Sequence, residues 1–455
     1  MVRNIKEILS LKNPWWQSKT SFPDVPQSER PIVKVLEKPN KGNALILIGP
    51  RQSGKTTSML QAIRHLLKNK NVNPYNIVYA PMDLIKDTSI NKIVSTHQEM
   101  TGKTKQIYYF FDEIHYDKDW SIHLKTLIDN KTKNYFYATG SSSTLLLKDT
   151  AESGLGRFNF KSIHPLSFKE YSSFKSIKPK LDIDLEKDLE KILEKEILVI
   201  SETQKLENLF QNYLLWGGFP NQLTQDYDIK QWHNNLRQNY VSLTIYKDVL
   251  SRYEVRDPGI LEDMLYLVSE KTTLPLSYDS IAKSFHLNLE TARTYLNYLE
   301  AAGLIITCEY FTKNTLKRAR RNKKFYIIDP GFNAALSYET TMSDKLLSKN
   351  VETSVAIALI RYLRKNTGLL HPRLFYWKNK KECDFILKIS KKIIPIEVKY
   401  KQEIKNNDLD GIIEFLISSK QKKGIVITKN TAEKREIKNK KLFLIPASIF
   451  LSALD

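Results

Sequence analysis

Apolar positions along the chain follow two rhythms. At 44–48 five apolar residues run without interruption, the pattern of a strand buried on both faces. Met59, Leu60, Ile63, Leu66 and Leu67 then recur at helical spacing, so a helix follows that strand directly. Short apolar runs at 76–80, 106–111 and 134–138 predict three further strands. Strands alternating with helices imply one α/β domain over 31–175. It is preceded by a polar, proline-containing extension, 1–30, whose adjacent Trp15 and Trp16 could pack near a base or cap a core, the second being the expectation taken here.

Beyond this domain the rhythm is mainly helical. Residues 176–257 predict a helical spacer: Leu181 to Glu207 mixes Glu and Lys with apolar residues at helical intervals, as a solvated helix does, and Gly217-Gly218-Phe219-Pro220 is a structural turn. Over 258–340 three helices (260–268, 278–285 and 289–302, the last closed by Gly303) precede two strands (304–311 and 325–328), the order of a winged helix-turn-helix. Over 345–455 a helix opens at Val351-Glu352, and strands follow at 373–377, 382–387 and 393–399. The expected class is therefore α/β multidomain: an α/β domain with a largely parallel sheet, a helical spacer with a winged helix, and a C-terminal α/β domain.

Chemistry enters at the end of the first strand. Gly49-Pro50-Arg51-Gln52-Ser53-Gly54-Lys55-Thr56-Thr57 is a phosphate-binding loop in its required strand–loop–helix context. The two glycines let backbone N–H groups face a phosphate. Lys55 reaches the β- and γ-phosphates, Thr56 offers a hydroxyl to Mg²⁺, and the helix N-terminus favours the same anion. The strand at 106–111 ends in Asp112-Glu113, the Walker B arrangement: Asp112 holds Mg²⁺ and Glu113 orients the attacking water. The strand at 134–138 ends in Thr139-Gly140-Ser141-Ser142-Ser143, where Ser141 is the candidate γ-phosphate sensor. Arg157 follows, either as a finger meeting a γ-phosphate, often a neighbour's, or as a structural ion-pairing arginine.

In the last domain Asp384 and Glu397 would lie on adjacent strands, and Glu397 and Lys399 share a face because they are two apart. With Glu352 as a helix acid, they match the PD-(D/E)XK nuclease core: Asp384 and Glu397 as metal ligands, Lys399 steadying the nucleophile. The same residues could belong to a nuclease-like fold kept for binding alone.

Charge sharpens the choice of partner. The chain has 71 Lys and Arg against 50 acids, a net charge of +21 over 455 residues, which favours polyanions. The excess is concentrated at 312–324, where Lys313, Lys317, Arg318, Arg320, Arg321, Lys323 and Lys324 stand with no acid among them, between the two wing strands. With Arg293, and with Thr291, Thr294 and Asn297 on the preceding helix, they form the candidate DNA surface, duplex or branched. No apolar run is long enough to span a membrane, the N-terminus lacks a signal-peptide pattern, and two distant cysteines suit a reduced compartment, so a cytoplasmic location is expected.

Taken in order, Gly-Pro-Arg-Gln-Ser-Gly-Lys-Thr-Thr, Phe-Phe-Asp-Glu-Ile, Trp120, Thr-Gly-Ser-Ser, Gly-Arg and Pro-Leu-Ser-Phe-Lys-Glu-Tyr resemble the archaeal and bacterial AAA-type P-loop ATPases that carry a C-terminal domain of unknown function. The resemblance covers nearly the whole chain. It implies ATP and Mg²⁺ as cofactors, a homo-oligomer with a hexameric ring as the reference form, and a nuclease-like C-terminal fold. Two functions follow as expectations: ATP hydrolysis coupled to remodelling or processing of DNA, including branched or broken DNA, or a nucleotide-gated switch that binds DNA or protein and carries an inactive nuclease-like domain.

Overall fold

The uninterrupted run at 44–48 lies inside a sheet, with all five of its residues buried. The computed structural model describes residues 4–38, 42–85, 87–103, 105–130, 133–140, 156–177, 184–187, 200–251 and 253–454. The chain divides into two units, Met1–His164 and Pro165–Asp455.

The first unit contains helices α1 (Ile5–Lys12), α2 (Pro31–Leu36), α3 (Lys55–Lys68), α4 (Ile90–Thr101) and α5 (Trp120–Asp129). Its strands are β1 (Ala44–Ile48), β2 (Ile77–Pro81), β3 (Tyr108–Asp112), β4 (Tyr135–Gly140) and β5 (Phe158–Ser162). The strands form one parallel sheet in the order β2-β3-β4-β1-β5. Strand β5 is absent from the sequence reading because it alternates between half-buried and exposed positions instead of running apolar, as an edge strand does. The opposite edge, β2, is covered by the N-terminal extension. Asn13 accepts from Tyr79 N–H and donates to Tyr79 C=O (2.7 and 2.8 Å), and both Trp15 and Trp16 donate their indole N–H to the Ile77 carbonyl. The two tryptophans thus satisfy a sheet edge that would otherwise present unpaired backbone groups.

The second unit opens with α6 (Phe168–Phe174), α7 (Ile200–Trp216) and α8 (Ile229–Asn235), the last continued by π-helical turns over Leu236–Val241 and Leu243–Val249. Next come α9 (Pro258–Lys271), α10 (Tyr278–Ser284), α11 (Leu289–Ala301), β6 (Ile305–Tyr310), α12 (Thr315–Arg320), β7 (Lys324–Ile327) and α13 (Pro330–Leu336). The unit ends with α14 (Asp344–Thr367), β8 (Leu374–Lys378), β9 (Glu382–Ile389), β10 (Lys392–Lys399), α15 (Asp410–Ser418), β11 (Lys423–Thr428), β12 (Glu433–Ile437), β13 (Lys440–Pro446) and α16 (Ala447–Ala453).

Two features depart from the sequence reading. First, β6 and β7 pair as an antiparallel hairpin, but β6 also pairs in parallel with β8, so the hairpin completes an eight-stranded sheet in the order β12-β13-β11-β10-β9-β8-β6-β7. The division expected between 340 and 345 therefore cuts through one continuous hydrogen-bonded sheet. Second, the stretch expected to be solvated contributes to a core: Leu185 is buried and Leu206 half-buried in one apolar cluster with Phe210, Tyr213 and Leu214 of α7, Phe168, Val355 and Phe385. Helical spacing there marked a core face.

The Gly217-Gly218 turn docks onto Asp329 at the start of α13. Gly218 N–H donates to Asp329 Oδ2 at 2.6 Å and Phe332 N–H to Oδ1 at 2.9 Å. A Cβ on Gly217 would stand 2.0 Å from that carboxylate, and one on Gly218 would stand 2.1 Å from the Leu166 carbonyl. Both glycines are thus required by close approach, and Gly217 also by its φ of +79°.

Candidate functional site

The phosphate loop leaves β1 through Gly49, where an added Cβ would lie 1.8 Å from the Ile163 carbonyl oxygen of the neighbouring β5 segment. It enters α3 through Gly54, at φ +90° and ψ +23°, a left-handed conformation that glycine adopts without strain. Ser53 Oγ donates to the Pro50 carbonyl across the loop at 2.8 Å. Arg30, buried in the extension, donates to the carbonyls of Ser53 and His164 at 2.7 and 2.8 Å. Its contribution was invisible in the sequence, because a lone arginine before a helix carries no pattern.

Lys55 Nζ donates to the carbonyls of Gly49 and Pro50, both at 2.9 Å. Thr56 Oγ1 donates to Asp112 Oδ2 at 2.8 Å, so the loop hydroxyl and the Walker B carboxylate meet although β4 separates β1 from β3. Two further hydroxyls converge on Asp112: Tyr79 OH donates to Oδ2 at 2.8 Å, and Thr139 Oγ1 donates to Oδ1. The phenol of Tyr79 is pushed far above its ordinary pKa by burial and by the Asp112 charge, which keeps it a donor. Thr139 also accepts from Glu113 N–H at 2.8 Å, and Glu113 sits at φ +53° with His115 Nδ1 at 3.2 Å from its Oε2. Thr139 is therefore the β4 hydroxyl that reaches the Walker B acids, where the sequence had singled out Ser141, which lies outside the described residues. Every polar contact to Asp112 in this network comes from a neutral hydroxyl, and Thr56 and Asp112 are close enough to share one Mg²⁺. The residues fit that ion.

Arg157 goes elsewhere. It stands just before β5, whose first residue pairs with Ala44 at the start of β1, whereas the phosphate loop leaves the other end of β1. Its Nε donates to Asp129 Oδ1 at 2.6 Å, and Arg157 C=O accepts from Ala44 N–H. The parallel register puts it at the N-terminal edge of the sheet, so it does not meet the phosphate loop of its own chain, and its observed partner is that of a structural arginine.

In the second unit the expected nuclease residues gather, with a lysine among them that the sequence had placed on the DNA surface. Lys324, the first residue of β7, is 1 % exposed, and its Nζ lies 2.7 Å from Glu382, 3.2 Å from Glu352 and 3.5 Å from Asp384. Glu382 was missed because it stood at a strand start with no motif attached. Tyr326 OH donates to Glu352 at 2.7 Å, Val398 N–H to Asp384 Oδ2 at 2.9 Å, and Lys399 Nζ to Glu397 Oε1 at 2.5 Å. Burial pushes the Glu352 carboxyl up to about 7, with Lys324 opposing and Asp384 adding to the rise. Burial and the Asp384 charge push Glu397 up to about 8 against the pull of Lys399. Lys324 is itself raised well above its usual value: burial works against its charge, but Glu352, Asp384 and Glu382 outweigh burial.

The basic segment is thus split. Lys313, Lys317, Arg320 and Arg321 are exposed. Arg318 is half-buried, 3.4 Å from Glu309 and over the Phe375 ring. Lys323 is buried beside the Tyr278 ring, and burial lowers its pKa. Lys323 and Lys324 are therefore removed from the candidate DNA surface. Arg293, exposed on α11, remains on it, with its guanidinium 6.0 Å from the centre of the Tyr278 ring. Among the described residues no helix is long and apolar enough to cross a membrane.

Three family models match successive segments: an AAA domain over residues 41–172, a domain of unknown function (DUF8612) over 207–343, and a second (DUF4143) over 348–450. The uncharacterized protein MJ1544 of Methanocaldococcus jannaschii is 27 % identical over 360 residues, covering 77 % of this chain and 72 % of that protein. An uncharacterized protein of Haemophilus influenzae is 22 % identical over 406 residues, covering 86 % of this chain and 90 % of its own. Among solved structures, the Aeropyrum pernix ORC2 protein in ADPNP–ADP complexes aligns at 11 % identity over 74 % of this chain and 96 % of that one, with a TM-score of 0.35, too loose a likeness to extend any property to this chain. The AAA match, read with the loop, the Walker B acids and the parallel sheet, makes residues 41–172 an AAA domain of the P-loop ATPase class.

Proposed function

We propose that this protein is a Mg²⁺-dependent ATPase that binds DNA and couples hydrolysis to remodelling or processing it. The observation that carries the catalytic half is the set of contacts joining Thr56, Asp112, Thr139 and Glu113. Mg²⁺, when bound, supplies charge neutralisation at the β- and γ-phosphates, and Thr56 and Asp112 would hold it. Lys55 exchanges two loop carbonyls for phosphate oxygens, and the loop N–H groups and the N-terminus of α3 bind the rest of the anion. Glu113, held at its backbone by Thr139, orients and polarises water for in-line attack.

The DNA half rests on the hairpin. Helices α9, α10 and α11 followed by β6 and β7, with a short bridge between Leu276 and Lys323, support a winged-helix reading. The exposed Lys313, Lys317, Arg320 and Arg321 suit backbone phosphates. The strands carrying Asp384, Glu397 and Lys399 support a nuclease-like fold for 345–455. A ring of identical subunits in the cytoplasm, as the AAA resemblance implies, belongs to the same proposal.

Steady-state ATP hydrolysis with and without linear, branched and single-stranded DNA tests it. Mg²⁺-dependent turnover stimulated by one DNA form supports it; turnover indifferent to every form, with no DNA bound at low salt, overturns the coupling. The second reading, a nucleotide-gated switch with an inactive nuclease-like domain, is favoured by Lys324 among the acids, and slow turnover with nucleotide-dependent DNA affinity is its signature.

A further inference from the structure

We infer that the Lys324 ammonium takes the place of a divalent cation in the carboxylate cluster of the C-terminal sheet, so that this site binds neither Mg²⁺ nor Mn²⁺ and does not cleave phosphodiesters. The inference stands on the geometry of the cluster and is independent of the ATPase reading.

An ammonium has three N–H donors, and Lys324 Nζ faces three carboxylates, Glu382, Glu352 and Asp384, at 2.7, 3.2 and 3.5 Å. A fourth side is closed by the Tyr376 ring, whose centre is 5.6 Å away. The first two are hydrogen-bond distances and the third an ion-pair distance, all around a nitrogen; Mg²⁺ requires oxygens at about 2.1 Å in a near-octahedral shell. The acids surround the nitrogen and do not converge on one another. Among the described residues the set of three ligand atoms within 4.8 Å of one another is Glu29, Glu37 and His65 in the first unit, and no such set comes from Glu352, Glu382, Asp384 and Glu397. Glu352 Oε1 also accepts from Tyr326 OH, Asp384 Oδ2 from Val398 N–H and Glu397 Oε1 from Lys399, which leaves Glu397 Oε2 as the buried oxygen without a hydrogen bond in this cluster.

Lys324 cannot easily withdraw. It opens β7, its backbone is in register with Cys308 of β6, and its neighbour Lys323 is bridged to Leu276. The side chain is 1 % exposed, so leaving the cluster would strand buried carboxylates without a counter-charge. A divalent ion could enter only against the positive charge already at the centre. The cation is thus supplied by the basic hairpin itself and ties β7 to α14, through Glu352, and to β9, through Glu382 and Asp384.

The test uses the full chain free of nucleotide. Bound Mn²⁺ is counted by electron paramagnetic resonance for the wild type, Asp384→Asn and Glu352→Gln. Equal uptake by all three is expected. Uptake by the wild type that falls in either variant overturns the inference. A second arm uses Lys324→Met, which keeps the volume and removes the charge. Mn²⁺ should raise its melting temperature and add a bound ion, and both effects should vanish in Lys324→Met combined with Asp384→Asn. A folded Lys324→Met that gains no Asp384-dependent Mn²⁺ overturns the inference as well. If Lys324→Met does not fold, the wild-type comparison decides.

Discussion

Each unit places a lysine in its candidate site at a sheet, and the two lysines have opposite posts. In the first, Lys55 is drawn onto the carbonyls of Gly49 and Pro50, and the contacts made to Asp112 come from the hydroxyls of Thr56, Tyr79 and Thr139. Hydroxyls satisfy hydrogen bonding but leave the negative charge in place, so the site attracts a cation. In the second, Lys324 stands among Glu352, Glu382 and Asp384 and offsets part of their charge directly. In this chain the charge of the partners already seated on the acids is what separates the two clusters. A lysine and acids thus leave room for a cation in the proposed ATPase site and fill the place of one in the C-terminal cluster.

The largest expected effect breaks the first site. Glu113→Gln should keep ATP binding, because Thr56 and Asp112 are untouched, while turnover falls by about 10²–10⁴, the range of a lost positioning base. Lys55→Ala should lose tight ATP binding itself. Equilibrium binding of a fluorescent ATP analogue, beside phosphate release, separates the two; undiminished turnover in Glu113→Gln would remove that residue from its role.

Next in size is the stability of the second site. Lys324→Ala leaves buried acids without their cation and should cost about 3–5 kcal/mol, read from denaturant unfolding of the second unit. Adding Glu352→Gln should recover part of this loss, since it removes one stranded charge. Additive losses would mean that the two side chains do not act as a pair.

The pH profile sharpens the contrast further. Glu397 is raised from 4.5 to about 8, so its folded site prefers the proton. The corresponding stability is fully present below the unfolded value and is lost as pH rises through about 8. Glu397→Gln should flatten the decline between those limits in thermal unfolding followed across pH. An unchanged slope would assign the decline to other groups.

The smallest effects concern the hairpin. Neutralising Lys317, Arg320 and Arg321 should weaken DNA binding for all sequences and reduce the salt slope by about one for each lost phosphate contact. Lys323→Met, buried and away from solvent, should leave that slope as it was. A lower slope in Lys323→Met would place this lysine on the DNA after all.

Local pattern made much of the molecule readable. The loop from Gly49 to Thr57, the strand before it and the Asp112-Glu113 pair are consecutive residues whose chemistry and secondary structure coincide, so sequence alone determined an AAA-type nucleotide site and the helices and strands around it. The same holds for the hairpin strands and for the Glu397–Lys399 pair, set by the two-residue repeat of a strand. What the chain could not reveal depends on distance along it. Asn13 on the edge of β2, Arg30 on the loop carbonyls and Asp329 under Gly218 are single polar residues whose partners lie tens to hundreds of positions away, with no periodicity to announce them. Lys324 is the sharpest case. In sequence it ends a run of basic residues and shares their apparent purpose. Only the pairing of β6 with both β7 and β8 turns it from the hairpin surface into the carboxylates of β9 and α14, because the register of a sheet, and not the composition of a loop, sets the face from which a side chain emerges.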